Sequence, residues 1–333
     1  MKRIFILSII SLLAVGSLLA KEDVLIDFTQ LVADTKAEDN NGVTALNAAT
    51  TIDTSNHTAN NYTDEQKALM KTSLAIENWL VKISSSSATI QNQSVSKSRE
   101  STSNLYGTVL GVRARFPNAA WNTVATIKPP FEIPAYEPAE EGSEAASKFE
   151  GGFGVIKNVG TIKSVAVNVY GLNYPYTLYL ILIDGNGKEI PIKVGSLDFQ
   201  GWGELRWDNP RYAQDVRDRQ LNTAPIYPQE SSLIKFGEFR IIKSGEQPGG
   251  DFITYFKDVK VIYDQAVLEE ERDIDDESVW QIQTERENEK NKAEQARQSN
   301  NLFLQALDKK RQAAETFQNQ QTSDADSGES EEE

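Results

Sequence analysis

The clearest pattern in the chain is an alternation of apolar and polar positions in its middle third. Val165, Val167 and Val169 are separated by small or polar residues, so that every second side chain lies on one face. A repeat of two is typical of a β-strand with one buried face. The β-branched runs Ile162–Tyr170 and Tyr176–Ile183 are therefore predicted to be strands that form the core of an antiparallel sandwich.

Similar runs elsewhere predict about nine or ten strands in all. A turn at residues 184–187 leads from the second run to a third, and a bulge is predicted at Gly237. The strands do not alternate with helices, which favours a jelly-roll-like sandwich over a doubly wound sheet. The further predicted strands are Val24–Phe28, Ile76–Val81, Thr108–Phe116, Ile190–Val194, Leu233–Lys243 and Phe252–Tyr263.

Polar segments between these runs are predicted to be loops. Residues 34–62 are rich in Asn and Thr, and residues 84–104 are rich in Ser. Thr63–Gln66 has the spacing of a capping box and predicts a short helix through Met70. Residues 128–148 contain four closely spaced prolines, which predict an irregular or edge segment within one domain.

The character of the sequence changes near residue 265, where helix-forming residues replace β-branched ones. An apolar stripe at helical spacing predicts a helix that docks on a neighbour or on the sandwich. It consists of Phe303, Leu307, Ala314 and Phe317. The predicted organisation is a signal peptide at 1–20, a sandwich at 21–264, a helical segment at 265–320 and an acidic disordered tail at 321–333.

The amino terminus has the features of a secretory signal peptide. Lys2 and Arg3 precede an apolar stretch, Ile4–Leu13, and small residues near Ala20 form a cleavage site. We expect an exported protein that does not insert into the membrane after cleavage. The chain has no Cys, so that export brings neither disulfides nor a lipid-anchored cysteine.

The net charge of −15 is concentrated at the carboxyl end. Asp264–Glu333 contains 20 acidic and 8 basic residues, so that the preceding part of the chain is nearly neutral. Nucleic-acid binding needs clustered Lys and Arg, and the composition therefore argues against a nucleic-acid partner. An anionic membrane surface would also repel the chain.

No reactive constellation is found in the sequence. His57 is the only histidine and lies in a polar segment, and there is no Gly-x-Ser-x-Gly motif. Zinc lacks ligands, and Gly151–Gly154 is predicted to be a turn before a strand, not a phosphate loop. The turn at Asp184–Gly187 is either a hairpin or, as the alternative, a weak calcium site. We expect no enzyme, no cofactor and no metal.

Four tryptophans leave two interpretations open. Most are expected to lie in the core, but an exposed ring on a jelly roll can stack on a sugar, which makes a periplasmic carbohydrate-binding module the alternative function. Trp202 and Trp207 are five positions apart, so that a regular strand places them on opposite faces. At most one of them then belongs to a binding surface. The other two are Trp79 and Trp121.

Several segments, taken in order, resemble the FlaA family, which forms the outer layer, or sheath, of spirochaete periplasmic flagellar filaments. They span about residues 24–282. The loops at 34–62 and 84–104 and the tail beyond 283 carry none of the pattern. The matching segments are Leu25–Phe28, Ile76–Trp79, Leu110–Pro117, Pro129–Pro134, Gly201–Tyr212, Phe256–Asp264 and Asp273–Val279.

The resemblance implies a non-enzymatic structural subunit of the periplasmic flagellum. Its expected partners are the flagellin core, other sheath proteins and further copies of itself, and its expected effect is to tune filament stiffness for motility. The segments Gly201–Trp202 and Trp207–Pro210 are together interpreted as a structural corner that ends a strand and fixes the following loop. The structural or interaction candidates are Trp79, Trp202, Trp207, Asn209, Pro210 and Tyr212. The last strand also resembles the closing strand of carbohydrate-binding jelly rolls, which keeps the alternative open.

Overall fold

A computed structural model describes residues 20–32, 50–53, 71–135, 149–221 and 232–266, with single helical positions between 279 and 311. Residues 1–19 of the predicted signal peptide, the predicted helix at 63–70, the apolar stripe from Phe303 to Phe317 and the acidic tail lie outside these residues. Within the described ranges, no helix is both long enough and apolar enough to cross a membrane.

The described residues form fourteen strands, two short α-helices and two single turns of 3-10 helix. The strands are β1 (Lys21–Asp27), β2 (Thr51–Asp53), β3 (Lys71–Ser73), β4 (Leu80–Ile83), β5 (Lys97–Ser103), β6 (Gly107–Phe116), β7 (Thr123–Lys128), β8 (Val155–Lys157), β9 (Val159–Leu172), β10 (Thr177–Asp184), β11 (Glu189–Ser196), β12 (Gln200–Asp208), β13 (Leu233–Lys243) and β14 (Gly250–Gln265). The α-helices are α1 (Ile90–Val95) and α2 (Tyr212–Leu221), and the 3-10 turns are Phe28–Gln30 and Ile76–Asn78.

Twelve of these strands form two six-stranded antiparallel sheets that face each other. Sheet 1 has the order β12-β9-β14-β6-β5, and β1 also pairs with β14. Sheet 2 has the order β11-β10-β13-β7-β4, and β8 also pairs with β13. The predicted mainly-β antiparallel sandwich is therefore confirmed.

The core lies between the sheets, where the alternating valines of β9 are fully buried. Aromatic rings join the two layers. Phe239 of β13 stacks on Phe256 of β14 with ring centroids 4.3 Å apart. Both rings are fully buried, one from each sheet, so that the contact between them removes apolar surface of both sheets from water. The stretch that the sequence indicated as the core does lie at the centre of the sandwich.

Two of the bulges in the long central strands bear on the surfaces described below. The register of β10 with β13 shifts between Ile181 and Leu182 and leaves Gly237 unpaired, as predicted. A side chain at Gly237 would place its Cβ 2.8 Å from the carbonyl oxygen of Ile181, which explains the glycine. A second bulge lies at Lys257, where the register of β14 with β9 shifts.

The predicted loop at residues 84–104 is wrong. The segment contains α1, whose first turn is capped by the Thr89 hydroxyl accepting from the Asn92 amide 3.1 Å away, and it then forms β5. The seven residues of β5 pair in full register with β6. Its edge position explains why the sequence of β5 shows no alternation of apolar residues, because an edge strand needs no apolar face.

Other sequence-based assignments need smaller corrections. The predicted strand Ile76–Val81 begins as a 3-10 turn, and only its end belongs to β4. Thr51–Asp53, within the predicted loop at 34–62, pairs with β3. Neither β7 nor α2 was predicted. In the described part of the proline-rich segment, residues 128–135, only Lys128 belongs to a strand, as the end of β7, and Phe131 is buried.

Candidate assembly surface

The ladder between β12 and β9 decides where the two neighbouring tryptophans lie. Trp202 is opposite Tyr170, and Trp207 is opposite the fully buried Val165, with no shift of register between them. Trp207 therefore faces the interior and packs against the core. Trp202 lies on the outer face of sheet 1, the face turned away from sheet 2. The opposite placement predicted from the odd spacing is confirmed.

Four rings form an aromatic row on this outer face: Tyr106, Trp202, Tyr170 and Tyr255. Neighbouring ring centroids are 5.0, 5.4 and 5.9 Å apart, and all three contacts are edge-to-face. Such pairs contribute about 0.5–1.5 kcal/mol each beyond the burial of area. The row crosses three strands, β12, β9 and β14, and its first ring comes from the β5–β6 turn.

The bulge in β14 supports the first ring of the aromatic row. Because Phe256 and Val259 both face the core, Lys257 and Asp258 share the outer side between them. The buried Asp258 carboxylate accepts hydrogen bonds from Lys257 and Asn168. Burial lowers the pKa of Lys257, but the hydrogen bond to Asp258 and the nearby negative charges together raise the pKa more. The charged ammonium lies 5.2 Å from the centre of the Tyr106 ring, in cation–π range.

A hydrogen-bonded corner ends β12 and starts α2. The Asn209 side-chain amide donates to the Ile162 carbonyl at 2.9 Å and to the Asp215 carboxylate at 3.0 Å. Its carbonyl oxygen accepts from the Arg211 amide at 2.9 Å, which is an Asx turn. Pro210 is exposed at the tip of this turn. The corner thus ties the end of one strand to its neighbour and to the following helix.

Tyr212, the first residue of α2, fixes that helix to the last strand of the sandwich. Its hydroxyl donates to the Asp264 carboxylate, 2.9 Å away, and Lys163 lies 5.7 Å from the centre of its ring. Trp207, Asn209, Pro210 and Tyr212 are therefore together at one end of β12. Trp202 lies near the other end of the same strand, and its predicted place in the corner is wrong, because β12 stays regular between Trp202 and Trp207.

Trp79 lies apart from the other candidates, in the core. It is 3% exposed, and its indole N–H donates to the Leu74 carbonyl at 2.9 Å. Its ring contacts Phe28 and Phe236 with centroid distances of 5.1 and 5.6 Å. These contacts give Trp79 a packing role, and it has no surface to offer to a partner.

The outer face of sheet 2 is charged where that of sheet 1 is aromatic. The Glu238 carboxylate, 6% exposed, pairs with Lys128 at 2.8 Å and with Arg240. Arg240 also reaches Glu189 at 3.0 Å. Shared partners of this kind restrict side-chain motion more than an isolated surface pair does.

Two described residues of the predicted helical segment at 265–320 contact this charged face. The Arg297 guanidinium is 2.7 Å from the carboxylate of Glu132, which also pairs with Lys235 at 3.0 Å. Asn301 lies beside a cavity of about 210 Å³ that Ile181 and other residues of sheet 2 line. Arg297 and Asn301 therefore lie over sheet 2, on the opposite side of the sandwich from the aromatic row.

The loops considered for chemistry have structural contacts. The Asp184 carboxylate accepts from the backbone amides of Asn186 and Lys188, at 2.9 and 2.8 Å, and so closes its own turn. The Gly154 amide donates to the Leu25 carbonyl at 2.7 Å, which places the glycine-rich turn against β1. Among the described residues no group of three metal-ligating side chains is found. His57 lies outside the described residues.

Three residues of the aromatic row and its support on the outer face of sheet 1 were not predicted from the sequence. Tyr255 and Lys257 lie on the outward positions of β14, and only the register of the sheet shows that they meet Tyr170 and Tyr106. The alternation of polar positions in β9 did mark Tyr170 as outward-facing. The β5–β6 turn brings Tyr106 from a distant part of the chain, a contact that no local pattern reveals.

Comparisons with known proteins agree with one another. The sequence model of the family described as flagellar filament outer layer protein FlaA matches residues 43–272. The chain is 44% identical to a flagellar filament outer layer protein of Spirochaeta aurantia, over 89% of this chain and 88% of that protein. It is 40% identical to the protein of that description from Treponema pallidum, over 95% of both.

Solved structures give only weak matches. The family 11 carbohydrate-binding module of a cellulosomal cellulase of Clostridium thermocellum is 8% identical, with a TM-score of 0.26 over 59% of this chain and 91% of that one. A xylan-binding domain is 11% identical, with a TM-score of 0.25 over 57% of this chain and 89% of that one. Scores this low carry no inference about ligands.

Proposed function

Because the chain belongs to the FlaA family of flagellar filament outer layer proteins, we propose that it is a structural subunit of that layer. In this role it surrounds or decorates a flagellin core, together with other layer proteins and further copies of itself. It stiffens the filament and thereby tunes the motility of the cell. The observation that carries the proposal is the near full-length similarity to two flagellar outer layer proteins.

The fold supports a mechanical role. The sixteen residues of β14 pair with β1, β6 and β9, so that one strand ties most of sheet 1 together. Stacked rings then join sheet 1 to sheet 2. A sandwich whose sheets are packed together in this way resists bending, because sliding one sheet over the other would disrupt the close packing of the core.

We place the protein in the periplasm, on the flagellum, after removal of the predicted signal peptide at residues 1–20. Two features support this location: the basic and apolar amino terminus and the family to which the chain belongs. We propose no catalytic activity, because the conspicuous polar groups described above serve as caps, corners and ion pairs.

Deleting the gene tests the proposal. We expect thinner filaments by electron cryo-microscopy, with altered stiffness or cell waveform, and recovery when the intact gene is returned. Fractionation adds a second readout, since an outer layer protein should remain with filaments after detergent removes the membranes. Filaments of unchanged diameter and composition in the deletion strain would contradict the proposal.

A second candidate function is glycan binding by the outer face of sheet 1. The observation that favours it is the half-buried Trp202 beside Tyr170, with Asn168 and Glu204 next to them on the same face. Aromatic rings cover apolar sugar faces, and polar side chains bind the hydroxyls. Calorimetric titration with a glycan panel tests this, with Trp202→Ala expected to abolish binding and Trp121→Ala, off the sheet, to preserve it. Absence of binding by the intact protein rejects it.

A further inference from the structure

Four basic side chains share the outer face of sheet 1 at its β5 edge. In the β5–β6 ladder Lys97 is opposite Arg113, and Arg99 is opposite Gly111. Arg115 is two residues from Arg113, so it points the same way, while Ala114 between them faces the core. We call Lys97, Arg99, Arg113 and Arg115 the basic edge.

The charge of the basic edge is largely uncompensated. Asp251 pairs with Arg113 at 3.0 Å, but Lys97, Arg99 and Arg115 make no ion pair with any residue that the structure describes. Like charges directly opposite each other destabilise a sheet, and Lys97 and Arg113 form such a pair. These features indicate a surface that becomes more stable when it binds an anion.

The anionic partner is in the sequence itself. Residues 321–333 contain six acidic residues and no basic one. We propose that the basic edge binds this acidic C-terminal segment from a second copy of the chain. Carboxylates along an extended segment can pair with successive Lys and Arg side chains on alternate positions of β5 and β6.

The positions of Arg297 and Asn301 favour a second copy over the same one. Arg297 and Asn301 lie over the outer face of sheet 2, whereas the basic edge is on the outer face of sheet 1. The acidic segment therefore follows, in the sequence, two residues that lie on the far side of their own sandwich. The body is nearly neutral and the acidic charge is terminal, so that one copy's tail can approach another copy's body without strong repulsion.

A contact between a tail and a different surface is heterologous, and such contacts repeat from copy to copy. They build open chains or rings, whereas a two-fold contact ends at a dimer. The inference extends the proposed function by naming a contact for self-association. It needs only purified protein for its test, so that its failure and the failure of the flagellar role are distinguishable.

Zero-length cross-linking with a carbodiimide tests the contact directly. The reagent joins a carboxylate to an amine as an amide, and Lys97 supplies the amine. Isotopically heavy and light protein, without the predicted signal peptide, are mixed in equal amounts. We expect peptides that join Lys97 to the glutamates of residues 329–333, with mixed heavy–light pairs as abundant as all unmixed pairs together. Unmixed pairs alone would show that the segment folds back on its own copy, and would overturn the proposal.

Charge reversal provides the second arm. Lys97 and Arg99 are exposed, so we expect Lys97→Glu with Arg99→Glu to keep the fold by circular dichroism. Self-association measured by sedimentation should weaken about tenfold. The matched control reverses Lys188 and Lys193, two exposed lysines near β11 and on it, and should have no effect. Adding Glu329→Lys, Glu331→Lys and Glu332→Lys to the first variant should restore association.

Two results would overturn the proposal independently of the cross-links. One is association that is unchanged by the reversal of Lys97 and Arg99. The other is an equal loss in the Lys188 and Lys193 control, which would show that only net charge matters. Raising the salt concentration should also weaken the association of the unaltered protein, because exposed ion pairs are screened.

Discussion

The hydroxyl of Tyr263 donates a 2.6 Å hydrogen bond to the carboxylate of Asp23 and thereby joins the last strand of the sandwich to the first. The two residues are 240 positions apart in the sequence. Tyr263 is 1% exposed, and Asp23 also pairs with Lys21 at 2.8 Å. The pair therefore anchors the strand that follows the predicted signal peptide onto β14, at the centre of sheet 1.

Removing this hydroxyl should weaken the fold. We expect Tyr263→Phe to lower the free energy of unfolding by about 1–2 kcal/mol, because the bond involves a charged acceptor. Urea denaturation followed by tryptophan fluorescence measures the change. Tyr255→Phe is the matched control, since its ring lies on the outer face, and it should change the free energy by less than about 0.5 kcal/mol. Equal losses in the two variants would contradict the role given to the Asp23 contact.

Glu132 should make the stability of the protein depend on acid pH. Burial raises the pKa of Glu132, but ion pairs with Lys235 and Arg297 lower it more, so that the pKa lies below its ordinary value. A carboxylate with a lowered pKa stabilises the fold above the unfolded pKa of about 4.3, and this contribution disappears as the pH falls through the folded pKa. We expect Glu132→Gln to cost about 2 kcal/mol at neutral pH and progressively less below about pH 4.

Arg297→Gln serves as the control for Glu132. Its side chain is 55% exposed, so its ion pair is screened by solvent and should contribute less than about 0.5 kcal/mol. Lys235 is only 6% exposed, and its pairing with Glu132 should account for most of the effect. Urea denaturation at a series of pH values measures both variants. A larger loss of unfolding free energy for Arg297→Gln than for Glu132→Gln would show that the ion pair with Arg297 dominates.

The sandwich could be predicted where a strand has one apolar face. Ile162–Tyr170 lies within β9, and Leu233–Lys243 and Thr108–Phe116 match or nearly match β13 and β6. All three are central strands whose inward residues are buried, so that burial imposes the alternation that the sequence displays. Gly237 was recognised as a bulge for the same reason, since a glycine interrupts an otherwise regular apolar pattern.

Edge elements could not be predicted in this way. The strand β5 has Lys97 and Arg99 on its outer side and Ser98 on its inner side. The Ser98 hydroxyl donates to the Trp79 carbonyl at 2.7 Å, so that even the inner position is polar. A strand without an apolar face has no hydrophobic period, and its serines suggest a loop. Only its pairing with β6 identifies β5 as a strand, and that pairing is a tertiary contact that the local sequence does not reveal.

The aromatic row could be predicted only in part from the sequence. Odd spacing along β12 separated Trp202 from Trp207 correctly, and the alternation in β9 placed Tyr170 outward. What the sequence lacked was the order of the strands in sheet 1, which brings β14 next to β9 and Tyr255 next to Tyr170. Strand order depends on which sheet edges meet during folding, and no local pattern encodes it.

The corner at Asn209 should be sensitive to loss of its side chain. Asn209→Ala removes hydrogen bonds to Ile162, Asp215 and Arg211, and we expect it to cost about 1–3 kcal/mol. Pro210→Ala is the control, because Pro210 is exposed, and it should stay within about 0.5 kcal/mol. Hydrogen exchange adds a local readout, since the amides of α2 should exchange faster in the first variant alone. Unchanged exchange in α2 would show that the corner does not hold the helix.

The two tryptophans with the most different surroundings should separate stability from assembly. Trp79→Phe removes the N–H that Leu74 accepts in the core, and it should cost about 2–3 kcal/mol in urea denaturation. Trp202→Phe keeps a ring on the outer face of sheet 1 and should cost less than about 1 kcal/mol.

Trp202→Ala removes that ring. If the aromatic row contacts the filament, incorporation of Trp202→Ala into isolated filaments should fall while its fold persists. Incorporation of Trp202→Ala equal to that of the unaltered protein would mean that the layer is held by another face.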